Sequence, residues 1–104
     1  MTRLLTKESC TGIIQASRGE VLRIEVEETP ATAYLWHLST GNGMLVVASE
    51  FRPLHDAKTG GGGKRSFLIC GEKSGLHQIE LLLHRPWEDQ STAVERINFQ
   101  IIIH

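Results

Sequence analysis

Apolar and polar residues alternate with period two along most of this chain, and turn-forming clusters break the pattern every ~8–12 residues. Leu22, Ile24 and Val26 alternate with Arg23, Glu25 and Glu27, and Tyr34, Trp36 and Leu38 with Leu35 and His37. Lys64 to Gly71 turns Phe67 and Ile69 to one side; Leu76 to His84 does the same with Ile79, Leu81 and Leu83. Thr92 to Ile103 places Ile97, Phe99, Ile101 and Ile103 in phase, and Thr11 to Ala16 is a short strand candidate. Met44 to Phe51 is apolar on both faces at its centre (Leu45, Val46, Val47, Ala48), as expected of a strand covered on both sides. No stretch carries the 3.6-residue period of a long amphipathic helix. The pattern predicts an all-β chain folded as an immunoglobulin-like β-sandwich of about seven to eight strands. Trp36, early in the third predicted strand, suits the buried tryptophan of such sandwiches. Cys10 precedes the first predicted strand, so the antibody-type Cys-Trp-Cys framework is not met.

At 104 residues the chain is expected to form a single domain, residues 1–104, with a core that needs neither metal nor disulfide. Eleven basic and twelve acidic residues leave a net charge of −1, which gives no electrostatic case for nucleic acid or an anionic membrane. No apolar run approaches the ~20 residues of a membrane span. The N-terminus has a charge but no apolar h-region, so no secretory signal is read. The compartment stays open: periplasmic or secreted if a leader was removed, cytoplasmic otherwise. Cys10 and Cys70 are expected as free thiols, with Cys70 half-buried in a strand. The expected state of the free protein is a monomer.

Catalytic chemistry finds no footing. Gly63-Lys64 lacks the glycine five residues upstream and the Ser or Thr downstream of a phosphate loop. His37, His55, His77, His84 and His104 have no metal-ligand spacing, and His37 and His77 are expected on the solvent faces of their strands. Nothing beside either cysteine resembles an activating site. Glu88-Asp89 reads as a solvated turn. The chain is read as no enzyme, with no cofactor and no metal.

Three loops remain. Thr29-Pro30-Ala31-Thr32-Ala33-Tyr34 joins two clear strands, is small and uncharged, and carries a proline that fixes φ. Gly60-Gly61-Gly62-Gly63 permits φ > 0 and close backbone approach. Arg85-Pro86-Trp87 presents a rigid aromatic and a planar charged fork, residue types that dominate binding hot spots. Each alone is also what an ordinary sandwich loop looks like. In strand order they fall on the B–C, D–E and F–G connections, which cluster at one end of an immunoglobulin-like sandwich.

This triplet resembles the chagasin family of proteinaceous inhibitors of papain-like cysteine peptidases. That family carries an Asn-Pro-Thr-Thr-Gly-Tyr/Phe loop, a Gly-x-Gly-Gly loop and an Arg-Pro-Trp/Phe loop in this order. Gly19 to Ile24, Phe67 and Gly75-Leu76-His77 also match the pattern, so the likeness runs from about Gly12 to the C-terminus. The second and third motifs match fully; the first departs at Thr29, Ala31 and Ala33. The resemblance implies reversible, non-covalent inhibition by three loops filling the active-site cleft. Thr32 would lie near the peptidase's catalytic Cys and His, Gly60–Gly63 along the non-primed side, and Trp87 against primed-side aromatics. Ala33 would be strained if its backbone needs φ > 0. The alternative is a binding or assembly module of the same fold with a non-peptidase partner and weak or lost inhibitory activity.

Overall fold

A computed structural model of the chain describes residues 2–54 and 62–104. Eight strands form two four-stranded sheets. They are β1 (Arg3–Thr6), β2 (Ile13–Ala16), β3 (Val21–Glu28), β4 (Leu35–Thr40), β5 (Met44–Pro53), β6 (Gly63–Gly71), β7 (Gly75–His84) and β8 (Glu95–Ile103). One sheet has the order β1-β3-β6-β5 and the other β2-β8-β7-β4. The expected immunoglobulin-like sandwich is what forms.

Period two explains which side of each strand is buried. Leu22, Ile24 and Val26 of β3 and Phe67 and Ile69 of β6 face Trp36 of β4, Ile79 and Leu81 of β7, and Ile97, Phe99, Ile101 and Ile103 of β8. Each fully buried Leu or Ile contributes roughly 1.5–3 kcal/mol relative to an exposed one. Both cysteines are free. Cys10 is buried beside the core, and burial, then the nearby Glu8 carboxylate, push its thiol up to about 11. It is a packing residue rather than a nucleophile.

Four expectations need correction. An additional strand, β1, precedes the first one predicted and pairs in parallel with β3, Leu5 facing the core opposite Ile24. It is too short to show alternation. β8 begins at Glu95 rather than Thr92, because Gln90–Thr92 forms a 3₁₀ turn capped by the Asp89 side chain, which accepts from the Ser91 amide at 3.0 Å. β5 is not covered on both sides: it is a sheet edge, and Leu45, Val46 and Val47 are exposed. A bulge between Val46 and Ala48 breaks its register there. Bulges of this kind make an apolar edge a poor template for another chain. Finally, His77 is buried in phase with Ile79 and Leu81, its Nε2 donating to the Lys73 carbonyl at 2.8 Å, whereas His37 keeps the outer face, half-buried.

Candidate functional site

Strand register brings the roots of the three loops together. Glu28, last in β3, pairs with Gly63, first in β6, and Gly63 pairs with Pro53, last in β5. In the other sheet Leu35, first in β4, pairs with His84, last in β7. All three connections therefore leave from the same end of the sandwich. Gly62 belongs to that cluster, since a methyl group on it would lie 3.2 Å from Thr29 Oγ1. Gly60 and Gly61 lie outside the described residues.

The first loop is internally braced. Thr29 is extended (φ −122°), as a residue before proline should be, and bridges to Tyr34 across the loop base. Pro30–Thr32 forms one 3₁₀ turn, closed by Thr32 N donating to Thr29 O (3.0 Å) and Ala33 N to Pro30 O (2.8 Å). The Thr32 hydroxyl donates to Thr29 O at 2.7 Å and accepts from the Tyr34 amide at 3.2 Å. Ala33 sits in the left-handed region with φ 64°, alone among the described non-glycine residues. Left-handed backbone costs an L-residue with a Cβ about 1–2 kcal/mol. Glycine escapes that cost but loses about 0.4–1 kcal/mol through the freer unfolded chain. Ala33→Gly is therefore expected to leave stability unchanged or raise it by up to about 1.5 kcal/mol, read as a higher urea midpoint, and to preserve or improve partner binding. A clear loss of stability would mean that the turn does not hold this conformation in solution.

The second loop needs glycine for space. Gly63 is not among the described glycines with positive φ, so its need for glycine is one of room. Gly63 is the first residue of β6 and is buried. A Cβ on it would overlap the Arg52 carbonyl and lie 2.6 Å from Phe51 Cζ and 2.8 Å from Pro53 Cα. Gly63→Ala is expected to destabilise by about 1–3 kcal/mol, as overpacking does, and thermal denaturation would register it.

The third loop carries the exposed aromatic. Arg85 O accepts from the Glu88 amide at 3.0 Å, closing a turn over Pro86 and Trp87. The Trp87 side chain stands out, 73% exposed. The Arg85 guanidinium lies over the Tyr34 ring, 4.5 Å from its centroid, and so joins the third loop to the first. Val94 N donates to Leu83 O at 2.9 Å where the connection returns to the sheet.

Beneath the loops lies a tie that sequence reasoning missed. Glu28 is only 3% exposed. Its Oε1 accepts from Arg65 Nε and Nη2 at 3.1 and 2.9 Å, and its Oε2 accepts from the Trp36 amide at 2.8 Å. One carboxylate thus links β3 and β6 to β4 in the facing sheet. Trp36 Nε1 adds a bond to Glu27 O at 2.7 Å. The signal was available: Glu28 continues the inward phase of Leu22, Ile24 and Val26, and Arg65 that of Ile69 and Phe67. Two opposite charges in phase with a core stripe on neighbouring strands are a buried pair in waiting. Among the described residues no group of three or more His, Cys, Asp or Glu could hold a metal ion.

The family model for the chagasin family peptidase inhibitor I42 matches residues 15–103. The chain belongs to the chagasin family of peptidase inhibitors. Chagasin of Trypanosoma cruzi is 26% identical over 102 residues, spanning 92% of this chain and 93% of that protein. Amoebiasin-1 of Entamoeba histolytica is 28% identical over 103 residues, 92% of this chain and 98% of its own. The crystal structure of the cysteine protease inhibitor EhICP2 from Entamoeba histolytica superposes with a TM-score of 0.86 at 19% identity, over 99% of this chain and 96% of that one, a likeness of fold. The chagasin family is one of inhibitors and not of enzymes. Against its motif, Thr29–Tyr34, Gly62–Gly63 and Arg85–Trp87 share one end of the sandwich. Ala33, where the family motif has glycine, keeps a glycine-like backbone.

Proposed function

We propose that this edge inhibits papain-like cysteine peptidases reversibly and without a covalent bond, by filling the active-site cleft. The Thr29–Tyr34 turn enters the cleft at the catalytic Cys and His. Gly62 and Gly63, with Gly60 and Gly61, run along the non-primed side, and Trp87 stacks on primed-side aromatics. The observation that carries this reading is Trp87, held out in solvent on a loop that Arg85 fastens to Tyr34 of the first loop. A loop closed by its own 3₁₀ turn does not offer an extended scissile bond, so it blocks the nucleophile without being cut. Because the loop is braced before binding, less ordering is lost on association. A contact of three such loops reaches the standard interface of about 1,600 Å². The left-handed Ala33 supports this reading over an assembly module, since the family motif has glycine, which takes positive φ without strain, at this position.

Titration of papain with the protein, followed by peptide hydrolysis, tests the proposal. The expected result is stoichiometric loss of activity that returns on dilution. Full activity at micromolar protein would overturn it.

A further inference from the structure

His37 and His84 stack with ring centroids 4.1 Å apart and planes 19° from parallel. They share the outer face of the β2-β8-β7-β4 sheet. His37 pairs with Leu82, two residues before His84, while Trp36 and Leu83 turn inward. His84 is only 6% exposed and immediately precedes Arg85. Its Nδ1 lies 2.9 Å from Arg85 O. A carbonyl oxygen can only accept, so Nδ1 carries the proton and Nε2 of neutral His84 is a bare lone pair. That nitrogen and Nε2 of His37 are both buried with no hydrogen-bond partner. A shared metal ion is not the explanation. Near-parallel rings at this spacing aim their in-plane lone pairs side by side, whereas zinc needs both nitrogens at about 2.0–2.1 Å.

A second proton on the His37 ring makes it a cation whose buried Nε2 has no acceptor, set against its neighbour's ring. Among the described residues the charged groups around the pair do not supply one. Glu28, on β3 across the sandwich, is already bonded to Arg65 and the Trp36 amide. Glu80 of β7 pairs with Ser39, the next outward residue of β4 after His37. Arg96 of β8, opposite Leu82, donates to Gln90 O, and Arg85 lies over Tyr34; both are cations. Burial first, and His84 second, hold the His37 ring below the usual histidine range, while Glu28 pulls the other way.

We propose that the His37–His84 stack makes the inhibitory edge acid-sensitive: the neutral pair locks the root of the Arg85–Trp87 loop, and proton uptake parts the rings and weakens inhibition. This regulation rests on the inhibitor reading above. His37, the less buried ring, is the one that leaves. His84 then loses its packing, and the Arg85 carbonyl that it anchors is freed with the loop. The folded state holds His37 neutral below the ordinary value of about 6.5, so its contribution is fully present above that pH. It is lost as pH falls through the lowered folded value, where the unfolded chain binds the extra proton.

Two measurements decide the matter. In the free protein, histidine ring signals and the Arg85, Trp87 and Glu88 amides are followed by NMR from pH 7.5 to 4.5. The expected result is that these amides shift and broaden in step with His37 titration; amides that stay still while the rings titrate would overturn the proposal. Inhibition constants for papain are then measured at pH 7 and pH 5 for the natural chain, His37→Phe and His84→Gln. Phe keeps a stacking ring that cannot be protonated, and Gln keeps a donor for Arg85 O. The natural chain is expected to weaken at least about tenfold, the equivalent of one pKa unit, and both variants to change several-fold less. Equal pH dependence in all three would overturn the switch, and the common enzyme cancels its own titration. Absence of inhibition at every pH would instead count against the inhibitor reading, while the NMR titration would still decide the switch.

Discussion

Replacing Trp87 with alanine raises the inhibition constant for papain at least about thirtyfold, the equivalent of a hot-spot loss of about 2 kcal/mol. The reason is where the indole stands. It is 73% exposed, so most of its apolar surface is available to a partner. Its backbone is set by the turn that Arg85 O closes with the Glu88 amide, so little freedom is lost on docking. Because the side chain is exposed, the same substitution should change unfolding free energy by no more than about 0.5 kcal/mol. The two readouts together separate a binding role from a folding role. An unchanged inhibition constant would remove this loop from the interface; a large loss of stability would show that the indole packs against its own chain.

Replacing Glu28 with alanine lowers the unfolding free energy by about 3 kcal/mol, the lower end of the cost of breaking a buried ion pair. The lower end applies because the Arg65 side chain keeps 21% exposure and can partly rehydrate. The loss is large beside the roughly 5–15 kcal/mol that hold a domain together. Glu28→Ala strands the Arg65 guanidinium and leaves the Trp36 amide without its acceptor. Urea denaturation of Glu28→Ala, Glu28→Gln and the double variant Glu28→Leu with Arg65→Met checks this. Gln retains an acceptor but no charge and should fall between alanine and the natural chain. The double variant should recover most of the loss, since replacing both charges removes the stranded cation. A loss under 1 kcal/mol for Glu28→Ala would mean that the loop roots are held by the ladders alone.

Much of this architecture was legible because period two survives in a sandwich core. Ile24, Phe67, Ile79, Phe99 and Ile101 all lie inward as their phase requires. Loop positions followed from strand order, and the positive φ of Ala33 from the motif's glycine. What escaped notice had physical causes. β1 is four residues long, too short to carry a period. β5 is apolar on both faces although it is an edge, because alternation says nothing about which strand has a neighbour. His37 lies on the outer face as its phase requires, and only the three-dimensional stack on His84 reveals that it is sheltered there. Glycine at 63 reflects crowding by Phe51 and Pro53 across the ladder, a non-local contact that spacing along the chain does not encode.

β2 runs parallel to β8, pairing Ile13 with Gln100 through to Ala16 with Ile103. Tension applied before Ile13 and after Ile103 would drag these neighbours past one another lengthwise. Every rung of that short ladder would then bear the load at once, where an antiparallel hairpin unzips one rung at a time. Stretching along this axis is thus resisted by shear, and the three loops, rooted at the other ends of their strands, need not be the first part to yield.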